Sequence, residues 1–326
     1  MKLSREHLRA EAGSTGFRAE ILEKVFQSLN LLGAVSSHPF LKGRLALKGG
    51  TAINLFLLDL PRLSVDVDWN YVGAADRETM GKERPMVEDA VRAVCGREGF
   101  QITRVPPDHA GGRWGLRYES ALGQGGNLEI DINFMFRVPL WPVQTRDSRP
   151  IGSHRAVQIP VLDLHELAAG KLAALLARRA ARDLFDVHQL LSRCPLDRSR
   201  LRLAFVVYGG INRKDWRTVS IDDVNFEVAE LKAQLIPVMR TETPERLGRS
   251  DQWATRLVSE CREALCAVLP LNEQEREFLD RLLDHGEIKP SLVTGDEAMA
   301  ERIAGHPALE WKARNVRAFK SQGAQT

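Results

Sequence analysis

Residues 45–70 read LALKGGTAINLFLLDLPRLSVDVDWN, and the fold turns on this stretch. The apolar run RLALK predicts a short strand ending at Lys48. Gly49 and Gly50 then turn the chain, and a helix is expected from about Thr51 until Pro61 stops it. The alternation of LSVDVDW predicts a second strand. Backbone N–H groups at a helix N-terminus, approachable because glycine has no Cβ, suit the phosphates of a triphosphate. Taken alone, Gly-Gly between a strand and a helix is more often only a tight turn.

Asp66-x-Asp68 adds chemistry to that turn. Residues i and i+2 of a strand face one side, so the two carboxylates point together. Neighbouring buried like charges resist ionising, and a divalent cation with its preference for oxygen ligands removes that cost. A solvated strand face is the plain alternative. Further on, NLEIDINFMF alternates, with Glu129, Asp131 and Asn133 on one side and Leu128, Ile130, Ile132 and Phe134 on the other. If this strand neighbours the Asp66–Asp68 strand, Asp131 is a third carboxylate. Three carboxylates can hold one or two Mg²⁺ ions, which activate an attacking hydroxyl and stabilise a leaving pyrophosphate.

Working outward, residues 1–35 carry two helical patterns, and 85–96 a third. QITRV, GRWGLRYES and NLEIDINFMF read as strands with glycine-rich loops between them. Mixed strands and helices run to about residue 160; beyond it nearly every segment has helical spacing. The 326 residues are roughly twice a usual single domain. The expectation is therefore an α+β (α/β) sheet domain over 1–160, including the N-terminal helices, and a mostly helical domain over 161–326.

Lys171 stands out in that second half. On DLHELAAGKLAALLARR it lies in the apolar stripe with Leu164, Leu167, Ala168 and Leu175, where an unpaired lysine is uncommon. It is read either as a cation reaching a triphosphate or as a lysine snorkelling at the stripe's edge. In an unbroken helix Arg178, Arg182 and Asp186 would fall within about 60° of Lys171, and Asp183 about 120° away. Asp186 is thus the expected site carboxylate, unless it simply orients Lys171 or Arg182. Asp183 is expected to cap a restarting helix.

The combination Lys48-Gly49-Gly50-Thr51, fourteen residues, then Asp66-x-Asp68 and a later strand acid resembles the polymerase-β-type nucleotidyltransferase superfamily. More narrowly, KGGTAINLFLLDLPRLSVDVD is similar to the AbiEii/AbiGii toxin family, whose hallmark is a Gly-Gly-Thr/Ser helix followed by Arg-x-Ser-x-Asp-x-Asp. Arg62, Ser64, Asp66 and Asp68 fit it, as do Lys171 and the downstream Arg182-Asp183-Leu184-Phe185-Asp186. The likeness covers about residues 40–192; 200–326 lies outside it. It implies a Mg²⁺-dependent nucleotidyltransferase that uses an NTP, with tRNA 3′ ends as acceptors in some members, acting as a toxin opposed by an antitoxin encoded beside it. Asp66, Asp68, Lys171 and Asp186 would be catalytic. Lys48, Gly49, Gly50, Thr51, Arg62 and Ser64 would hold the nucleotide, and Asp66, Asp68 and Asp131 the metal. A small-molecule (aminoglycoside-type) nucleotidyltransferase and a non-catalytic nucleotide-binding module are the alternatives.

Composition narrows the class. Lys plus Arg number 46 against 43 for Asp plus Glu, a net +3, far from the charge of a general nucleic-acid coating protein. Seven arginines between Arg178 and Arg202 offer a local basic patch for a polyanion, or a solvated helical face. The four cysteines form no CxxC pair and no apolar run spans a bilayer, so a cytoplasmic protein with reduced thiols is expected. The histidines, His165 and His188 included, have no metal-ligand spacing. The last stretch, from about Pro307 with Lys312, Arg314, Arg317 and Lys320, is expected to be a solvated helix or a frayed tail.

Overall fold

The computed structural model describes residues 3–59, 61–107, 111–226, 228–242 and 250–323. Leu60 and Glu227, inside two stretches read above as helical, lie outside the described residues. The chain divides into two compact units: Met1–Arg137 with Pro142–Leu162 and Lys232–Ser250, and Val138–Trp141 with Asp163–Leu231 and Asp251–Thr326.

The first unit is built on a seven-stranded mixed sheet. Its strands are β1 (Leu45–Lys48), β2 (Val67–Tyr71), β3 (Gln101–Arg104), β4 (Gly111–Glu119), β5 (Gly125–Asn133), β6 (Gln144–Arg146) and β7 (Ile159–Val161). The spatial order is β3-β4-β5-β2-β1-β7-β6. β2 runs antiparallel to β1 and parallel to β5, so the two acid-bearing strands are neighbours. Alternation explains the layering. Trp114, Leu116 and Tyr118 of β4 and Leu128, Ile130 and Ile132 of β5 are buried, while Arg113, Arg117 and Asn127 on the other face are exposed. Helices α1 (Arg5–Thr15) and α2 (Ala19–Ser37) precede the sheet, α3 (Gly49–Ala52) follows β1, and α4 (Arg77–Arg97) follows β2. α2 packs on β5, β7 and α4, burying Leu22, Phe26 and Leu29.

Several local readings change. The helix after β1 starts at Gly49 and continues as a wider turn over Ile53–Leu57. α4 begins at Arg77, capped by Asp76, and contains Pro85 rather than starting there. β2 opens only at Val67, because the preceding residues are drawn elsewhere: Leu63 N–H donates to Val238 O (2.9 Å), and Ser28 Oγ to Val65 O (3.3 Å). Gly111, Gly112, Gly125 and Gly126 lie within β4 and β5, not in hairpin loops.

The second unit is helical, with α5 (Leu164–Arg178), α6 (Ala181–Arg193) and α7 (Arg198–Ile211), then Ser250–Ala264, Glu273–Asp280, Glu297–Ala304 and Pro307–Gly323. Residues 228–238, in a stretch of helical spacing, form short, broken turns rather than one helix. The Pro307–Gly323 helix is not frayed. It buries Leu309 and Ala313, Lys312 Nζ donates to Asn212 O (2.8 Å), and Arg317 reaches the carbonyl of Gly286.

Candidate active site

Strand register assembles the first cluster. Lys48 on β1 pairs with Asp68 on β2, Asp68 with Asp131 on β5, and Asp131 with Arg113 on β4. Four charged residues therefore form one row across four adjacent strands, two carboxylates flanked by two cations. Lys48 Nζ lies 3.6 Å from Asp131 Oδ2. Burial raises the Asp131 carboxyl above its ordinary value; Lys48 opposes the shift, the Asp68 charge adds to it, and Arg113 opposes it more weakly.

The glycine turn fits around this row. Gly49 has φ +74°, a conformation that costs an L side chain about 1–2 kcal/mol, and a Cβ built there runs into the Asp68 carboxylate. Gly50 is closed off differently: a Cβ there would sit 2.7 Å from Ser64 Oγ and 3.4 Å from an Arg62 Nη atom. Arg62 is buried and Ser64 stands beside it against the turn, so both brace the backbone behind Gly50. The Thr51 hydroxyl is buried and donates to the Asp66 carbonyl, tying the helix start to the residue before β2.

Asp66 corrects the expectation of a three-carboxylate cluster. It precedes the paired ladder, and among the described residues no group of three or more His, Cys, Asp or Glu side chains is placed to share a metal ion. Asp68 and Asp131 remain side by side. Their oxygens suit Mg²⁺, which commonly takes one or two carboxylates and completes its shell with substrate phosphates. The donor set therefore fits such an ion.

The second cluster belongs to the helical unit. α5 ends with Arg179 at φ +57°, Ala180 is extended, and α6 restarts without a side-chain cap. That break reverses one geometric expectation. Asp183 is not a cap: it lies in the first turn of α6 and accepts from Lys171 Nζ at 2.8 Å and from Arg178 Nε at 2.5 Å. Asp186 pairs with the same Nζ at 2.9 Å. Lys171 is thus a buried cation held between two carboxylates that are 1% and 0% exposed, not a snorkelling one. Burial alone would raise the Asp183 carboxyl, but the Lys171 charge and Arg178 outweigh it and hold it well below the usual range.

The expected arginine patch is largely committed within the fold. Arg178 pairs with Asp183, Arg179 with Asp223, Arg200 with Asp163 and Arg202 with Glu275, and Arg198 donates to the carbonyls of Cys266 and Ala267. His165 and His188 are committed within the chain as well: His165 Nδ1 lies 2.9 Å from Asp163 and His188 Nε2 2.7 Å from Glu260. Arg113 is the site residue that sequence reasoning missed. The alternation of GRWGLRYE already places it on the polar face, but its register opposite Asp131 depends on the β4–β5 pairing.

Comparison with known proteins now bears on the chain. Residues 30–260 match the family described as nucleotidyl transferase AbiEii toxin, type IV TA system, which extends the likeness beyond residue 192, where the motifs end. In structure the chain is similar to the nucleotidyltransferase toxin MenT4 from Mycobacterium tuberculosis, with a TM-score of 0.58 and 17% identity over 97% of this chain and 99% of that one. At that identity the likeness establishes the fold. No curated protein sequence matches the chain. No described helix is long and apolar enough to cross a membrane. The match over most of its length makes this chain a member of the AbiEii nucleotidyltransferase toxin family of type IV toxin–antitoxin systems, which implies an NTP substrate and an antitoxin partner.

Proposed function

We propose that this toxin transfers a nucleotidyl group from an NTP to the 3′ hydroxyl of tRNA with the help of Mg²⁺, in the cytoplasm, where NTP, tRNA and antitoxin meet. The row Lys48–Asp68–Asp131 beside the Gly49–Gly50 turn carries the proposal. Asp68 and Asp131 would hold the ion, and Asp66, just before β2, would act beside them rather than as a third ligand. When bound, Mg²⁺ supplies charge stabilisation for the attacking oxygen and the leaving pyrophosphate.

The protein's own residues do the rest. Backbone N–H groups from Gly49 to Thr51 would receive the triphosphate, and Gly50, with no side chain, lets Ser64 and Arg62 close up behind the turn. Arg62 and Ser64 fix the turn from behind. Lys48 offsets charge on Asp131 until substrate and ion arrive. Lys171 and Asp186 are required for transfer as a buried pair in the helical unit. Residues Asp66, Asp68, Lys171 and Asp186 are the catalytic set of this reading.

The test incubates purified protein with Mg²⁺, each labelled NTP, and either total tRNA or an aminoglycoside. Label on tRNA, lost with chelator and in Asp66→Asn, Asp68→Asn and Asp131→Asn proteins of unchanged thermal stability, is the expected result. Label on the aminoglycoside alone favours the small-molecule enzyme. No label on either favours a nucleotide-binding module. Expression in a bacterium should arrest growth, and Asp68→Ala should relieve the arrest.

A further inference from the structure

Five of the helical arginines, Arg178, Arg179, Arg198, Arg200 and Arg202, already hold internal partners, so a polyanionic acceptor is better served by another surface. The open face of the sheet beyond Asp131 supplies one. There Arg113 on β4 continues the Lys48–Asp68–Asp131 row. Four residues along the same strand, ~13 Å away at 3.3 Å per residue, Arg117 is exposed on the same face. Gly115 between them carries no side chain, and Arg104 of the edge strand β3 pairs in register with it.

These arginines are presented rather than buried. The Arg104 and Arg113 side chains are 56% and 63% exposed, and both lean on one carboxylate, Glu129, at 3.5 and 3.4 Å. One exposed carboxylate does not neutralise two guanidinium groups, and contacts that long and exposed are worth little. Glu129 therefore orients the pair without consuming it. Three cations spread along an open strand face do not converge on one phosphate; they match a chain of them. Arginine's planar fork suits such contacts.

We infer that the β3–β4–β5 face, through Arg104, Arg113 and Arg117, is the docking surface for the sugar–phosphate backbone of the acceptor RNA, whose 3′ end it leads toward Asp131. This rests on the RNA-acceptor reading above. The contacts are to phosphate, so the surface confers affinity and direction rather than base sequence.

The test measures binding of fluorescein-labelled total tRNA to the full-length protein across a salt series. In the Arg104→Ala/Arg117→Ala protein, binding should weaken, and the slope of log affinity against log salt should become shallower by about 0.7–0.9 per arginine. Adding Arg113→Ala should deepen the loss. Glu129→Gln, which frees two arginines, should tighten tRNA binding. Labelled NTP binding and thermal stability of the double variant should equal wild type, which a structural role would not allow. If wild type binds and labels tRNA and the double variant keeps the same affinity and slope, the docking surface is wrong although the function stands. If the double variant loses NTP binding instead, the arginines serve the triphosphate and the inference falls. Wild-type protein that neither binds nor labels tRNA would overturn the RNA reading and this surface with it.

Discussion

Gly49→Ala, measured against Gly43→Ala, separates backbone strain from damage to the site. Gly43 and Gly49 share the same left-handed conformation, φ +75° and +74°. A Cβ at Gly43 meets nothing within 4 Å, whereas at Gly49 it strikes the end of Asp68 and lies 3.2 Å from its Cγ and 3.3 Å from its Cβ. Both substitutions should therefore lose about 1–2 kcal/mol of stability to conformational strain, a melting shift of a few degrees in a chain of this size. Only Gly49→Ala forces the Asp68 carboxylate to turn away from Asp131. A misplacement near 1 Å in a reacting constellation can cost ~10²-fold in rate, about 2.7 kcal/mol of barrier. Thermal melts and tRNA-labelling rates on both proteins provide the readout. Equal melting shifts with transfer lost only in Gly49→Ala are expected. Transfer at the wild-type rate in Gly49→Ala would refute the claim that this glycine exists to let Asp68 stand where it does.

Two further perturbations probe the helical unit. Lys171→Ala leaves Asp186 and one face of Asp183 buried without their cation, and breaking such a pair typically costs about 3–5 kcal/mol. Lys171→Met/Asp186→Asn should recover much of that stability while transfer stays lost. Recovery of transfer along with stability would make the pair purely structural, and an unchanged melting temperature in Lys171→Ala would contradict the buried triad. Glu166, buried in α5, accepts from Trp141 N–H at 3.2 Å and from the Tyr208 hydroxyl at 3.0 Å. Burial, with a smaller push from Asp163, raises its carboxyl from 4.5 to about 7. The folded chain then holds the extra proton between those values. Stability present below about 4.5 should fall by up to ~3 kcal/mol as pH rises through 7. Glu166→Gln should flatten urea-denaturation stability between pH 5 and 8, and an unchanged slope in that variant would exclude Glu166 as the source.

Much of the site was legible in residues 45–70 because local chemistry speaks there without help. Gly-Gly after a short apolar strand, a proline stop, and acids spaced two apart each have a near-neighbour reason, and the alternation of residues 127–134 fixed which face carries Asp131. The Lys171 anomaly was visible too, since a lysine in an apolar stripe needs a partner whatever the fold. What the local pattern could not contain was register. Strand pairing is long-range, and one residue of slip sends every side chain to the opposite face. So the Lys48–Asp68–Asp131–Arg113 row, and with it Arg113, emerged only when β4, β5, β2 and β1 lay side by side. The same holds for Asp66, which left the ladder because residues 63–65 are bound by Val238 and Ser28. Asp183 was misjudged for a related reason: angular position extrapolates only along an unbroken helix, and Arg179 breaks it. The helical arginines looked available as a run of charges, yet their partners lie between about five and seventy residues away in sequence. Composition determined that the chain has cations to offer a polyanion; the tertiary structure decided which of them are already taken.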